Sequence, residues 1–157
     1  MPMRIGTQLP SLEGATEWTN SNLEEVNSLI QGKPTLIHFW AVSCGICKTN
    51  LPRIAEWRDK YKEDGLRVIA VHMPRYPEDQ DLVAVREAIE KFGIVEPCAI
   101  DNLHKMRDAF QNDQGFVPAY YLFDQEGKLK SFAAGERGLD MLSSALNRVM
   151  TALNPTS

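Results

Sequence analysis

Cys44 and Cys47, separated by Gly45-Ile46, are the residues best placed to do chemistry in this 157-residue sequence. Two thiols at CxxC spacing can exchange with a disulfide in another molecule, close into a disulfide of their own, or hold half of a zinc site. Cys98 is the only other thiol, and the histidines His38, His72 and His104 are widely scattered. Structural zinc motifs usually bring a second close pair such as CxxC or HxxxH, which the chain does not offer, so no metal is expected. Three cysteines also make a poor structural framework, because one thiol is left over. Redox work by Cys44 and Cys47 is the expected chemistry.

The elements around the pair support this. Thr35-Leu36-Ile37-His38-Phe39-Trp40 is β-branched and aromatic and nearly continuous in apolar character, as a central strand covered on both faces would be. After the cysteines, Leu51, Ile54, Ala55, Trp57, Arg58 and Tyr61 recur at helical spacing, which places the CxxC at a strand-to-helix junction. A helix N-terminus offers unpaired backbone N–H groups and the positive end of the helix dipole, and both favour a thiolate. Cys44, at that terminus, is the expected attacker; Cys47, one turn inside, is the expected resolving thiol. Trp40, near the strand end, is expected to border the sulfurs.

The rest of the chain reads as alternating elements. Ser21 is predicted to cap a short helix with Glu24 completing a capping box. A second buried strand covers 66–72, a polar loop 75–81, and Leu82, Val85, Ala88, Ile89 and Phe92 mark a helix that stops at Gly93. A short strand at 97–100 and a short helix at 104–110 precede an antiparallel hairpin, 119–123 with 129–133, and an amphipathic terminal helix from Leu139 to Leu153. The pattern predicts one α/β domain over 1–157, a central mixed sheet with helices on both faces. Cys98, in an apolar strand, is expected to be an inert small hydrophobe.

The formal net charge is −4 with acids and bases interspersed, so nucleic acid is not an expected partner. No apolar run approaches the ~20 residues that span a bilayer. The opening Met1-Pro2-Met3-Arg4-Ile5-Gly6 lacks the features of a secretory signal, and a cytoplasmic monomer is expected. An exported protein whose signal had been removed would look the same.

Residues 35–61, with Phe39-Trp40-Ala41, the CxxC, Lys48 and Pro52 inside the helix, resemble the thioredoxin-like superfamily, as does Val117-Pro118 ahead of a strand and hairpin. The segments from Gly6 to Pro10 and from Gly32 to Ala41 resemble its bacterial TlpA/ResA-like branch. His38-Phe39-Trp40, His72-Met73-Pro74-Arg75 and Val117-Pro118-Ala119-Tyr120-Tyr121 are similar to YkuV-type thiol-disulfide oxidoreductases. The resemblance implies a thioredoxin-like fold with an inserted βα unit and an N-terminal extension. It also implies a cis-proline at Pro118 facing the cysteines, with Val117 presenting backbone to an incoming peptide. Protein or peptide disulfides would be the substrates, another thiol/disulfide protein the electron donor, and the cysteine pair itself the only redox group.

Departures from the family pattern bear on proton transfer. His38 stands where thioredoxins place a buried acid, and Asn50 where ResA-like proteins carry a helix glutamate, so no familiar carboxylate is available. Deprotonation of Cys47 then falls to His38, directly or through water. The other reading of His38 is a neutral core histidine bonded to backbone. Ile46 and Ser43 replace the proline and tryptophan common at their positions. Two other functions are weighed against the exchange reading: a peptide-binding or assembly module without turnover, and a minor peroxidase activity, for which Ser43 beside Cys44 is the one hint.

Overall fold

The apolar run around His38 folds into a strand buried along its whole length, β2 (Thr35–Trp40), in the computed structural model, which describes residues 2–153. β2 lies parallel to β3 (Arg67–His72) and antiparallel to β5 (Ala119–Phe123). β4 (Cys98–Ile100) continues the sheet beyond β3, and β1 (Glu17–Thr19) and β6 (Leu129–Ala134) form its edges, giving the order β1-β4-β3-β2-β5-β6. The helices are α1 (Leu23–Ile30), α2 (Gly45–Lys60), α3 (Leu82–Lys91), α4 (Lys105–Ala109) and α5 (Gly138–Leu153).

Successive side chains of a strand point to opposite faces, and β2 divides the core accordingly. Ile37 and Phe39 enter a cluster with Phe110, Tyr121 and Phe123, covered by Val26 of α1 and Met106 of α4. On the opposite face Trp40 joins Cys44, Cys47 and Leu51 of the α2 segment and Val85 and Ile89 of α3. Leu36 joins Ile54 of α2, Tyr120 of β5, and Leu142 and Leu146 of α5. His38 lies on this second face, at the seam between those two clusters. The thioredoxin-like arrangement, a mixed sheet with helices on both faces, is as expected.

The differences are local. α1 is capped by Asn22, whose side chain accepts the Glu25 N–H, while the Ser21 hydroxyl donates to the Glu25 carboxylate. The helix starts one residue later than Ser21 capping requires. The edge strand β1, three residues long and paired with β4, has no counterpart in the sequence reading, because so short a segment carries no visible alternation. The 75–81 loop contains a short 3-10 helix, Pro77–Gln80. Among the described residues no helix is long and apolar enough to cross a membrane.

Candidate active site

Cys44 is the N-cap of α2, and the backbone N–H of Cys47 donates to its sulfur at 3.1 Å. The two sulfurs are joined in a disulfide, with the Cα atoms 5.3 Å apart. Both residues are buried, beneath the exposed Gly45 and Ile46. Trp40 packs below them; it is itself fully buried and meets the His72 ring edge-on at 4.8 Å, so it shapes the site from underneath rather than from its surface. Val117 is half-buried and packs against the same cluster, and its peptide bond to the buried Pro118 is cis.

Ahead of Cys44 a polar lattice holds residues 42 and 43. Buried Asp79 accepts the Ser43 N–H at 3.1 Å and the Ser43 hydroxyl at 2.7 Å, together with the backbone N–H groups of Arg75 (3.0 Å) and Tyr76 (3.3 Å). Burial pushes the Asp79 carboxyl up, but these bonds outweigh it and hold the group below its ordinary range. The Arg75 guanidinium turns back to donate to the Ser43 carbonyl at 2.9 Å and lies over the Tyr76 ring. His72 Nε2 accepts the Val42 N–H at 3.1 Å. Burial pushes His72 down to about 4, against the pull of Asp79, so the ring is neutral in this role.

A second polar group lies at the seam where His38 sits. His38 Nε2 is 2.7 Å from Glu96 Oε2, and Arg58 Nη1 donates to Glu96 Oε1 at 2.7 Å. The Asn20 amide donates to the carbonyls of Ile94 and Glu96, pinning the segment that delivers Glu96. Burial raises the Glu96 carboxyl, but its bonds to His38 and Arg58 and the attraction of His38 bring it down to about 2. A carboxylate is therefore present after all, carried by the turn before β4 rather than by β2 or α2. Among the described residues, the hydrogen bond found for the His38 ring is to that side chain. Asn50 donates to the Tyr120 hydroxyl at 3.0 Å.

Of the residues singled out from the sequence, Cys44, Cys47, Trp40 and Val117 pack in one cluster, Pro118 follows Val117, and His38 lies on the same sheet face. Cys98 is completely buried in β4, and burial pushes its thiol up to about 12. His104 Nε2 donates to the Pro74 carbonyl at 3.0 Å, away from the pair. Among the described residues no group of three or more His, Cys, Asp or Glu side chains gathers to hold a metal ion. Sequence reasoning missed Asp79, Glu96 and Arg58. A histidine inside an otherwise apolar strand was the one signal that a buried partner had to exist.

A thioredoxin-like sheet with a disulfide at the start of the helix that follows its central strand defines a thiol-disulfide oxidoreductase. The chain belongs to the AhpC/TSA family, whose model matches residues 5–132. It is 43% identical over 148 residues to the thiol-disulfide oxidoreductase YkuV of Bacillus subtilis (strain 168), covering 94% of this chain and 97% of that protein. It is 27% identical to the thiol-disulfide oxidoreductase ResA of Bacillus thuringiensis (strain Al Hakam), covering 94% of this chain and 79% of that one. A solved solution structure of a thioredoxin-like protein in the oxidized form superposes with a TM-score of 0.83 at 43% identity, over 96% of this chain and 99% of that one.

Proposed function

We propose that this oxidoreductase reduces or exchanges disulfides in protein substrates, with Cys44 as nucleophile and Cys47 as resolving thiol. The observation that carries the assignment of roles is the Cys47 N–H directed at the Cys44 sulfur at the cap of α2, where a thiolate gains a hydrogen bond and the positive end of the helix dipole. The Cys44 thiolate attacks one sulfur of a substrate disulfide; that S–S bond breaks, one substrate thiolate leaves, and a mixed disulfide remains. Cys47 then loses its proton and attacks Cys44, releasing the second substrate thiolate and leaving the Cys44–Cys47 disulfide. Two electrons have passed from the pair to the substrate.

Val117 and Pro118 border the incoming peptide, Trp40 supports the sulfurs from below, and His38 takes the Cys47 proton directly or through water. No cofactor beyond the cysteine pair is needed, and a thiol/disulfide protein resets it. A reducing cytoplasm fits the reductant direction, and a monomer suffices. Insulin reduction tests the reading: Cys44→Ser is expected to fall to background, and a parental rate would overturn it. Cys47→Ser is expected to accumulate a mixed disulfide with substrate. Release without Cys47 would point instead to a binding module.

A further inference from the structure

We propose that Glu96 is the positioning residue of the resolving step: clamped by Arg58, its carboxylate sets which nitrogen of His38 carries a proton and holds the imidazolium formed when Cys47 is deprotonated. This rests on the reading of Cys47 as the resolving thiol.

The first support is placement. Within β2, His38 shares its face with Trp40, two residues on, which packs with both cysteines. Its register partners are Ala70 and Tyr120. Ala70 belongs to the cluster around Cys47, and Tyr120 is held by Asn50 of α2, one turn beyond Cys47.

The second support is hydrogen-bond polarity. An ionised carboxylate only accepts, so at 2.7 Å His38 Nε2 must donate to Glu96. In the neutral ring this leaves Nδ1 as the basic nitrogen. A nucleophile, a histidine and a carboxylate that orients it form the same logic as a catalytic triad, where the carboxylate selects the tautomer and stabilises the imidazolium without itself taking the proton.

The third support is the clamp. Cys47, Leu51, Ile54 and Arg58 follow one another at helical spacing along the inward side of α2. The helix that carries the resolving thiol therefore also carries the cation that holds Glu96. The hydrogen bond from His38 does most to keep Glu96 ionised and the Arg58 bond adds to it, so the proton stays on His38.

The ionisable groups around the pair include Asp59 of α2, which shares Arg58, Lys62, Glu63 and Arg67, which line one cavity with Arg58 and Glu96, Cys98 of β4 and Tyr120 of β5. Burial pushes both Cys98 and Tyr120 up to about 12, so neither competes for the proton in the neutral range. In the resolving step the Cys47 S–H proton passes to His38 Nδ1, directly or through water. The sulfur's electron pair forms the bond to Cys44 Sγ, the Cys44–substrate S–S bond breaks, and the departing thiolate takes a proton from solvent. Cys44 makes the first attack from the helix terminus and does not call on Glu96.

Single-turnover kinetics of Glu96→Gln tests this. Formation of the mixed disulfide by Cys44 is expected to proceed at close to the parental rate. Resolution by Cys47 is expected to slow by about 100-fold, the size of a general-base contribution, with an altered pH profile. Nitrogen NMR of the unaltered protein is expected to show His38 with the proton on Nε2. A parental resolution rate and pH profile in Glu96→Gln, an equal slowing of both steps, or an Nδ1–H tautomer in the parent would each overturn the proposal. The tautomer decides the matter if the variant does not fold. Parental turnover by Cys47→Ser would remove the underlying reading instead, a result separable from all of these.

Discussion

Asp79 and Glu96 are both buried carboxylates held below their ordinary range, yet they are built into the molecule in different ways. Asp79 is satisfied by residues 43, 75 and 76, three of its four donors being backbone N–H groups. Glu96 is bonded instead to two side chains, His38 from β2 and Arg58 from α2. Backbone donors fix a shape and cannot gain or lose a proton, whereas an imidazole can. The rim around Ser43 is therefore a device for placing Cys44. The seam under α2 ties a carboxylate to a titratable ring and to the redox helix.

The largest expected effect separates the two by what is left behind. Glu96→Leu strands the buried His38 N–H and takes one of two carboxylate partners from the half-buried Arg58, which keeps Asp59, and is expected to cost about 2–4 kcal/mol in urea unfolding. Asp79→Ala strands hydrogen-bond donors on residues 43, 75 and 76, all exposed enough for water to reach, and is expected to cost about 1–3 kcal/mol. Equal losses would break the distinction between a charged clamp and a backbone organiser.

Acid sharpens the same contrast. The unfolded chain binds a proton at His72 near 6.5, while the folded chain resists until about 4. Stability contributed by the neutral ring is complete above 6.5 and is lost as pH falls through that window, by roughly 3 kcal/mol if the whole shift counts. Glu96, ordinarily near 4.5 and here about 2, contributes stability above 4.5 that is lost as pH falls toward 2. The rim is thus expected to loosen in mild acid and the seam only in stronger acid. In urea midpoints measured from pH 7 downward, His72→Gln is expected to flatten the slope between 6.5 and 4 and leave the slope below it. An unchanged slope in the upper window would show that the rim does not depend on the neutral ring.

The seam and the rim also mark where sequence reading stops. β2, the helical stripe after Cys47 and the 119–134 hairpin carry their patterns within short stretches, so periodicity alone finds them. Cys44 and Cys47 are visible because their spacing is itself the chemical signal. Glu96 reaches His38 across a sequence separation of 58, and Asp79 reaches Ser43 across 36, with no local pattern announcing either. Glu96 follows an exposed valine and precedes a proline, which reads as a turn. Asp79 sits in a stretch whose polarity suggests only a loop. Ser21 and Asn22 are both good caps, and only the start of α1 distinguishes them.

The smallest expected effect asks whether the rim is organised by its carboxylate or by its cation. Arg75 is exposed and bonds to the carbonyl and hydroxyl of Ser43, a residue that Asp79 already holds by its N–H and hydroxyl. Arg75→Ala is therefore expected to cost less than about 1 kcal/mol, as exposed polar substitutions usually do. With one cation removed near residue 44, the Cys44 thiolate titration, followed by ultraviolet absorbance, is expected to move upward by less than about one unit and to move less at high salt. If Arg75→Ala matched Asp79→Ala in stability, Arg75 would be the true anchor of Ser43. The rim would then depend on an exposed cation, and its likeness to the Glu96 seam would end at the presence of a buried acid.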